Sequence, residues 1–194
     1  MTTLDTLLHH FGLTAVPFDR AVPPEGLLRH PSFGEALERL RFAVDLRGPA
    51  LLVAPPGTGK SVLLEALCTE LSPSDVRVIA TQLTACGPFG LVGQLATRYG
   101  TPLRRTTAQT AAALLDELGR SAKTELLILD EAHRLPDASL EELRLLGQLD
   151  FDRRAPFALL LAGQPVLRER LQQPDFDALW QRLAVRPSLA PLTD

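Results

Sequence analysis

The sequence predicts an open parallel α/β sheet flanked by helices. Three observations carry that expectation. Short apolar runs (Ala50–Ala54, Val76–Thr81, Glu125–Leu129 and Ala155–Ala162) read as strands buried on both faces. Segments with helical apolar spacing separate them. The first run leads through a Pro/Gly-rich turn straight into a helix beginning near Lys60. Strands that alternate with helices make parallel βαβ units.

Element by element, residues 1–30 read as an irregular linker, punctuated by Pro17, Pro23, Pro24 and Pro31, so that 1–31 precedes a core domain at 32–194. Phe33, Ala36, Leu37, Leu40 and Val44 recur at helical spacing over Ser32–Arg47, with Ser32 as N-cap and Glu35 completing a capping box. Gly48-Pro49 ends that helix. After the first strand come a helix over Lys60–Leu71 and the second strand. Helices follow over Gly90–Tyr99 and Thr107–Gly119, then the third strand, which ends at Asp130-Glu131. A helix over Ala138–Leu149 carries a core stripe of Leu140, Leu143, Leu146 and Leu149. The fourth strand precedes helices at Pro165–Gln172 and Phe176–Leu183. Val185–Leu189 reads as a fifth strand, which Pro187 makes an edge or an irregular one.

Composition bounds the function. At 194 residues, 45% hydrophobic and 22% charged, the chain is an ordinary globular one, large enough to bury a core without staples. Cys68 and Cys86 make no metal pattern and no disulfide framework. The N-terminus lacks a basic signal region and no apolar run reaches membrane-span length, which together predict a cytoplasmic protein. A net charge of −3 excludes gripping nucleic acid by bulk charge, though not through a local patch such as Arg104-Arg105 or Arg153-Arg154. Only Lys60 and Lys123 are lysines, and there is no asparagine.

The chemistry concentrates in Ala54-Pro-Pro-Gly-Thr-Gly-Lys-Ser61, which is G-x-x-x-x-G-K-[ST] with Ala54 at the first glycine. Gly57 and Gly59 allow backbone angles that turn successive N–H groups into an anion nest. The helix N-terminus adds its positive end. Pro56, Gly57, Thr58, Gly59, Lys60, Ser61 and Val62 would therefore cradle a nucleotide. Lys60 would sit between the β- and γ-phosphates, and the Ser61 hydroxyl would ligate Mg²⁺. Seventy positions on, Leu126-Leu-Ile-Leu-Asp130-Glu131 delivers two carboxylates at the end of a strand. Asp130 would hold Mg²⁺ and Glu131 would act as general base on a water. Gln164 either reaches the γ-phosphate or the water, or caps the helix that starts near Pro165. Arg182 either stabilises transition-state charge in a neighbouring subunit's site or is a solvated surface arginine.

Absences sort the alternatives. Without asparagine there is no Asn-Lys-x-Asp guanine reader. There is no Ser-Gly-Gly signature. Asp130-Glu-Ala-His133 spells the DEAH of two-domain helicases, but their arginine-rich motif is missing. A small-molecule kinase stays open, although the paired acids favour water as acceptor.

The ordered set of motifs resembles the AAA+ ATPases of the ExeA/TniB/IstB type over nearly the whole chain. It comprises Phe11-Gly-Leu-x4-Phe18, Pro55–Ser61, Leu129-Asp-Glu-Ala-His133, Leu140–Leu146, Leu160-Leu-Ala-Gly-Gln-Pro165, Gln181-Arg-Leu183 and Leu189-Ala-Pro-Leu192. The resemblance implies a P-loop NTPase core with a five-stranded sheet ordered 5-1-4-3-2. It implies ATP and Mg²⁺ as ligands, Gln164 at sensor 1, Arg182 as arginine finger, and a homo-oligomer. The linker from Phe18 to Leu28 would border the adenine. A helical lid expected after Leu192 is missing from the 194 residues. Members of the family serve either DNA transposition, on duplex DNA with a transposase, or secretion-channel assembly. The missing membrane segment favours the transposition helper. The alternatives are an ExeA-like secretion ATPase domain and a nucleotide-binding interaction module with little turnover.

Overall fold

The protein is described from a computed structural model over residues 3–13, 30–82, 86–147 and 155–191. The chain divides into two compact units, Met1–His30 and Pro31–Asp194. In the first, α1 spans Thr3–Phe11, which corrects the expectation of an irregular segment there. Leu4, Leu7, Leu8 and Phe11 recur at helical spacing. The prolines that suggested a linker all lie beyond the helix.

The second unit is built on β1 (Ala50–Val53), β2 (Val76–Gln82), β3 (Thr124–Asp130) and β4 (Ala158–Gly163). All three pairings are parallel, and the sheet order is β1-β4-β3-β2. The expected fifth strand is reduced to two parallel bridges on the free edge of β1, Ala50↔Val185 and Val53↔Ser188. The outer position is therefore filled as the order 5-1-4-3-2 requires, but the sheet has four strands, not five. Pro187 supplies the reason. It has no N–H to give a ladder, and its carbonyl accepts only a long bond from Val53 N, 3.4 Å.

Side chains alternate across the sheet. Leu51, Val53, Leu127, Leu129, Leu159 and Leu161 join the core with α4 (Pro88–Arg98), α5 (Thr107–Arg120), α6 (Asp137–Leu146), α7 (Pro165–Leu171) and α8 (Asp177–Arg182). Leu126 and Leu160 turn to the other face, against Leu40, Ala43 and Val44 of α2 (Pro31–Asp45). There α2 packs beside α3 (Lys60–Glu70). Burial on both faces is why these strands are nearly all apolar. The expected leucine stripe is buried at Leu140, Leu143 and Leu146; Leu149 lies outside the described residues.

Helix α2 starts at Pro31, not at an N-cap on Ser32. Proline suits a first turn, where its missing N–H costs nothing. Glu35, inside the helix, pairs instead with Arg39 at 2.8 Å. No helix among the described residues is long and apolar enough to cross a membrane.

Candidate functional site

The site forms where β1, β3 and β4 end side by side. Parallel strands point their C-terminal ends to one edge of the sheet, and there the helices begin. The loop from Ala54 to Gly59 leaves β1, and its first residue is tied to the neighbouring strand by Ala54 N to Gly163 O, 3.1 Å. Among the described residues only Arg47 and Glu131 are non-glycines with positive φ, so Ala54 holds the first position without strain. Gly57 and Gly59 have φ of +79° and +90°. This left-handed geometry needs glycine, and it gives the loop the shape that the sequence led one to expect. The Thr58 hydroxyl closes the loop by donating to Pro55 O, 2.8 Å. Gly59 is the N-cap of α3 and receives no side-chain cap, so the first N–H groups of that helix stay available to an anion. Ser61 and Val62 open the helix and are exposed.

Lys60 crosses 71 residues of sequence to meet the end of β3. Its Nζ donates to Glu131 Oε1 at 2.7 Å and lies 3.5 Å from Asp130 Oδ1. Asp130 Oδ1 also accepts the Glu131 N–H, 2.8 Å. Glu131 itself has φ 56° and ψ 31°, the left-handed region that costs a residue with a Cβ about 1–2 kcal/mol. The turn that this conformation starts, Ala132–Arg134, folds the chain back so that His133 Nε2 comes to 3.6 Å from Glu131 Oε2. Arg134 Nε is 4.0 Å from the same oxygen. The Lys60 hydrogen bond holds the Glu131 carboxyl below the usual carboxylate range. Partial burial works against it, and the charges of Lys60, His133 and Arg134 add to it.

Gln164 follows Gly163 at the end of β4, between the P-loop strand and the acidic strand. It is the N-cap of α7, but its side chain makes no capping bond; only its backbone carbonyl does, accepting Leu167 N at 2.9 Å. Arg182 is not part of this group. It ends α8, three residues before Val185, which pairs with Ala50 at the entry end of β1. The P-loop leaves the exit end of that strand, about 13 Å further along at 3.3 Å per residue. The structure thus brings Lys60, Asp130, Glu131 and the loop from Pro56 to Ser61 together, sets Gln164 beside them, and sets Arg182 at the opposite end of β1. Arg104 and Arg105 are exposed. Arg153, Arg154 and the stretch from Phe18 to Leu28 lie outside the described residues.

Residues 44–171 match the family described as "AAA domain". The chain belongs to that family. It is an AAA+ ATPase domain of the ExeA type. It is 30% identical over 192 residues to General secretion pathway protein A of Aeromonas hydrophila, covering 94% of this chain and 34% of that protein. The chain thus spans about a third of the length of this relative. Among solved structures, Cdc6p from Pyrobaculum aerophilum superposes with a TM-score of 0.69 at 22% identity, over 91% of this chain and 49% of that one. The Aeropyrum pernix Orc1 protein, solved in complex with DNA, gives 0.66 at 19%, over 91% and 48%. Both establish the P-loop NTPase fold.

In the sequence His133 appears only inside two motifs, the DEAH spelling and Leu129-Asp-Glu-Ala-His133, and no role attaches to it there. The signal was its spacing, two residues after the acid at the end of an apolar strand. What it touches depends on the turn at Glu131.

Proposed function

We propose that this chain hydrolyses Mg·ATP in an oligomer of itself, each active site completed by the next copy's Arg182. The observation that carries the reading is the meeting of Lys60 with Asp130 and Glu131 at the mouth of the glycine nest. The loop from Pro56 to Ser61, with Val62 behind it, binds the phosphates through its N–H groups. Lys60 then exchanges the Glu131 carboxylate for β- and γ-phosphate oxygens. Ser61 and Asp130 fit Mg²⁺, which favours a few hard oxygen donors alongside nucleotide phosphates and water. When bound, it neutralises charge on those phosphates. Glu131, released at Oε1, takes the proton of the attacking water. Gln164 orients that water or the γ-phosphate. Arg182, at the far end of β1 from its own P-loop, serves the site of a neighbour.

The cellular role that the comparisons support is protein secretion, through the likeness to General secretion pathway protein A. The alternative, a transposition helper acting on duplex DNA with a transposase, has no such support. The DNA-bound Orc1 neighbour is 19% identical and speaks for the fold alone.

The deciding experiment is complementation. Lys60→Ala and Arg182→Ala should each turn over ATP at least a hundredfold more slowly than the parent chain, because a trans arginine is worth about 10³–10⁵ in rate. Mixed in equal amounts, the two should recover activity, since some interfaces pair an intact P-loop with an intact arginine. A mixture as inert as its components removes Arg182 from the mechanism. In parallel, ATP-dependent binding to labelled duplex DNA that weakens steeply with salt would move the role back to DNA.

A further inference from the structure

The Glu131 carboxylate has two oxygens in two different settings. Oε1 is taken by Lys60 at 2.7 Å. Oε2 faces His133 Nε2 at 3.6 Å. Nucleotide withdraws the first partner and leaves the second in place. A carboxylate that has lost its lysine needs another contact if it is to aim one oxygen at a water. Hydrogen bonds of this kind are often long in an empty site and tighten only in the loaded one.

His133 is built to stay where it is. Its side chain is only 13% exposed. Its backbone carbonyl accepts a bond from Arg170 Nη1 on α7, 3.3 Å, and Arg170 is itself paired with Asp137. Its ring lies against the end of β4. A Cβ placed on Gly163 would come within 3.4 Å of both His133 N and His133 Nδ1. Nδ1 is buried and has no hydrogen-bond partner. An unpartnered buried acceptor costs less than a buried N–H with nowhere to donate when Nε2 is the atom that has a partner to find. The surroundings therefore select the tautomer with hydrogen on Nε2, the one that can donate to Glu131 Oε2.

Building on the hydrolytic reading above, we infer that His133 is the positioning residue for Glu131. Once Lys60 has moved to the phosphates, Nε2–H holds Oε2 and leaves Oε1 free to receive the proton of the water. The contact with Gly163 also ties the base to the strand that carries Gln164, so one rigid unit sets both groups around the water. Arg134 does not replace His133 here, because its side chain is 60% exposed and 4.0 Å away.

The test uses the whole chain and three measurements. Binding of a fluorescent ATP analogue to His133→Leu should stay within about twofold of the parent, since no P-loop group is altered. Its kcat should fall about 10- to 100-fold at unchanged KM, the effect of misplacing a reacting group by about 1 Å. His133→Gln, whose amide N–H reaches nearly as far as Nε2, should recover a large part of that loss; His133→Asn, too short, should not. The nitrogen spectrum of the imidazole, in protein loaded with Mg·ADP and beryllium fluoride, should show the Nε2–H form and should shift in Glu131→Gln. A His133→Leu that keeps full turnover overturns the inference. So does one that loses affinity along with kcat, or a His133 that carries its hydrogen on Nδ1. A parent chain that binds nucleotide without turnover overturns the hydrolytic reading instead. The spectrum then still decides the contact: an Nε2–H signal that responds to Glu131→Gln upholds it, and an unresponsive one removes it.

Discussion

Replacing Glu131 by glutamine should make nucleotide bind more tightly, because Lys60 is hydrogen-bonded to Glu131. The Lys60 Nζ to Glu131 Oε1 bond is 2.7 Å long, with side-chain exposures of only 12% and 23%. A hydrogen bond to a charged group contributes about 1.5–3 kcal/mol net. On the proposed mechanism, nucleotide breaks it when Lys60 moves to a phosphate. Glutamine still offers a carbonyl oxygen to the charged Lys60, but the opposite charge is gone and with it the ion-pair attraction, at most about 1 kcal/mol for a partly exposed pair. Asp130, 3.5 Å from Nζ, keeps its share of the lysine in both proteins. The difference is about 1 kcal/mol, or about fivefold in Kd. ADP is the informative ligand. It lacks the γ-phosphate, so relief of repulsion between that group and Glu131 does not enter. Calorimetric titration of Mg·ADP into the parent and Glu131→Gln chains reads the change directly. An equal or weaker affinity in Glu131→Gln would refute the argument that Lys60 is held in reserve by the acid.

The same pair predicts a dependence on pH. Glu131 is held below the ordinary glutamate value of about 4.3, and so is Glu141 by Arg144. A carboxyl with a lowered folded-state pKa binds protons more readily when unfolded. Its contribution is therefore complete above about pH 4.3 and is lost as pH falls through the folded value. The melting temperature of the empty chain should drop on acidification below that point. Lys60→Met, which removes the main cause at Glu131, should drop less steeply; parallel curves would mean that the pair adds nothing to stability. At the end of β4, Gly163→Ala should destabilise by about 1–3 kcal/mol in urea unfolding, as overpacking of a filled site does. Its Cβ would stand 2.9 Å from Leu167 Cδ2, on a side chain with no exposure, and 3.4 Å from the His133 ring. An unchanged midpoint would show that Leu167 and His133 give way.

Contiguous motifs were legible from the residues alone. The nest needs Gly57 and Gly59 in a strand-to-helix turn, and that geometry is a property of a few consecutive residues. The apolar strand that ends in Asp130-Glu131 is local in the same sense. So are the leucines of α6, whose 3.6-residue period marks the buried face. The helix at Thr3–Phe11 is legible too, in the spacing of Leu4, Leu7, Leu8 and Phe11; the prolines that suggest an irregular segment all follow it.

Only tertiary structure decided who meets whom. Parallel strands with helical crossovers can be ordered in many ways, and spacing along the chain does not say that β4 lies between β1 and β3; that expectation came from the family resemblance, and the structure has it. That order is what carries Lys60 to Glu131 across 71 residues. It also puts Gly163 within reach of both Ala54 N and the His133 ring. The left-handed turn at Glu131 and the placement of Arg182 at the far end of β1 likewise come from packing. The sequence named the candidate groups, because their types and local backbone are fixed by near neighbours. The fold set their distances, because those depend on which buried faces pack together.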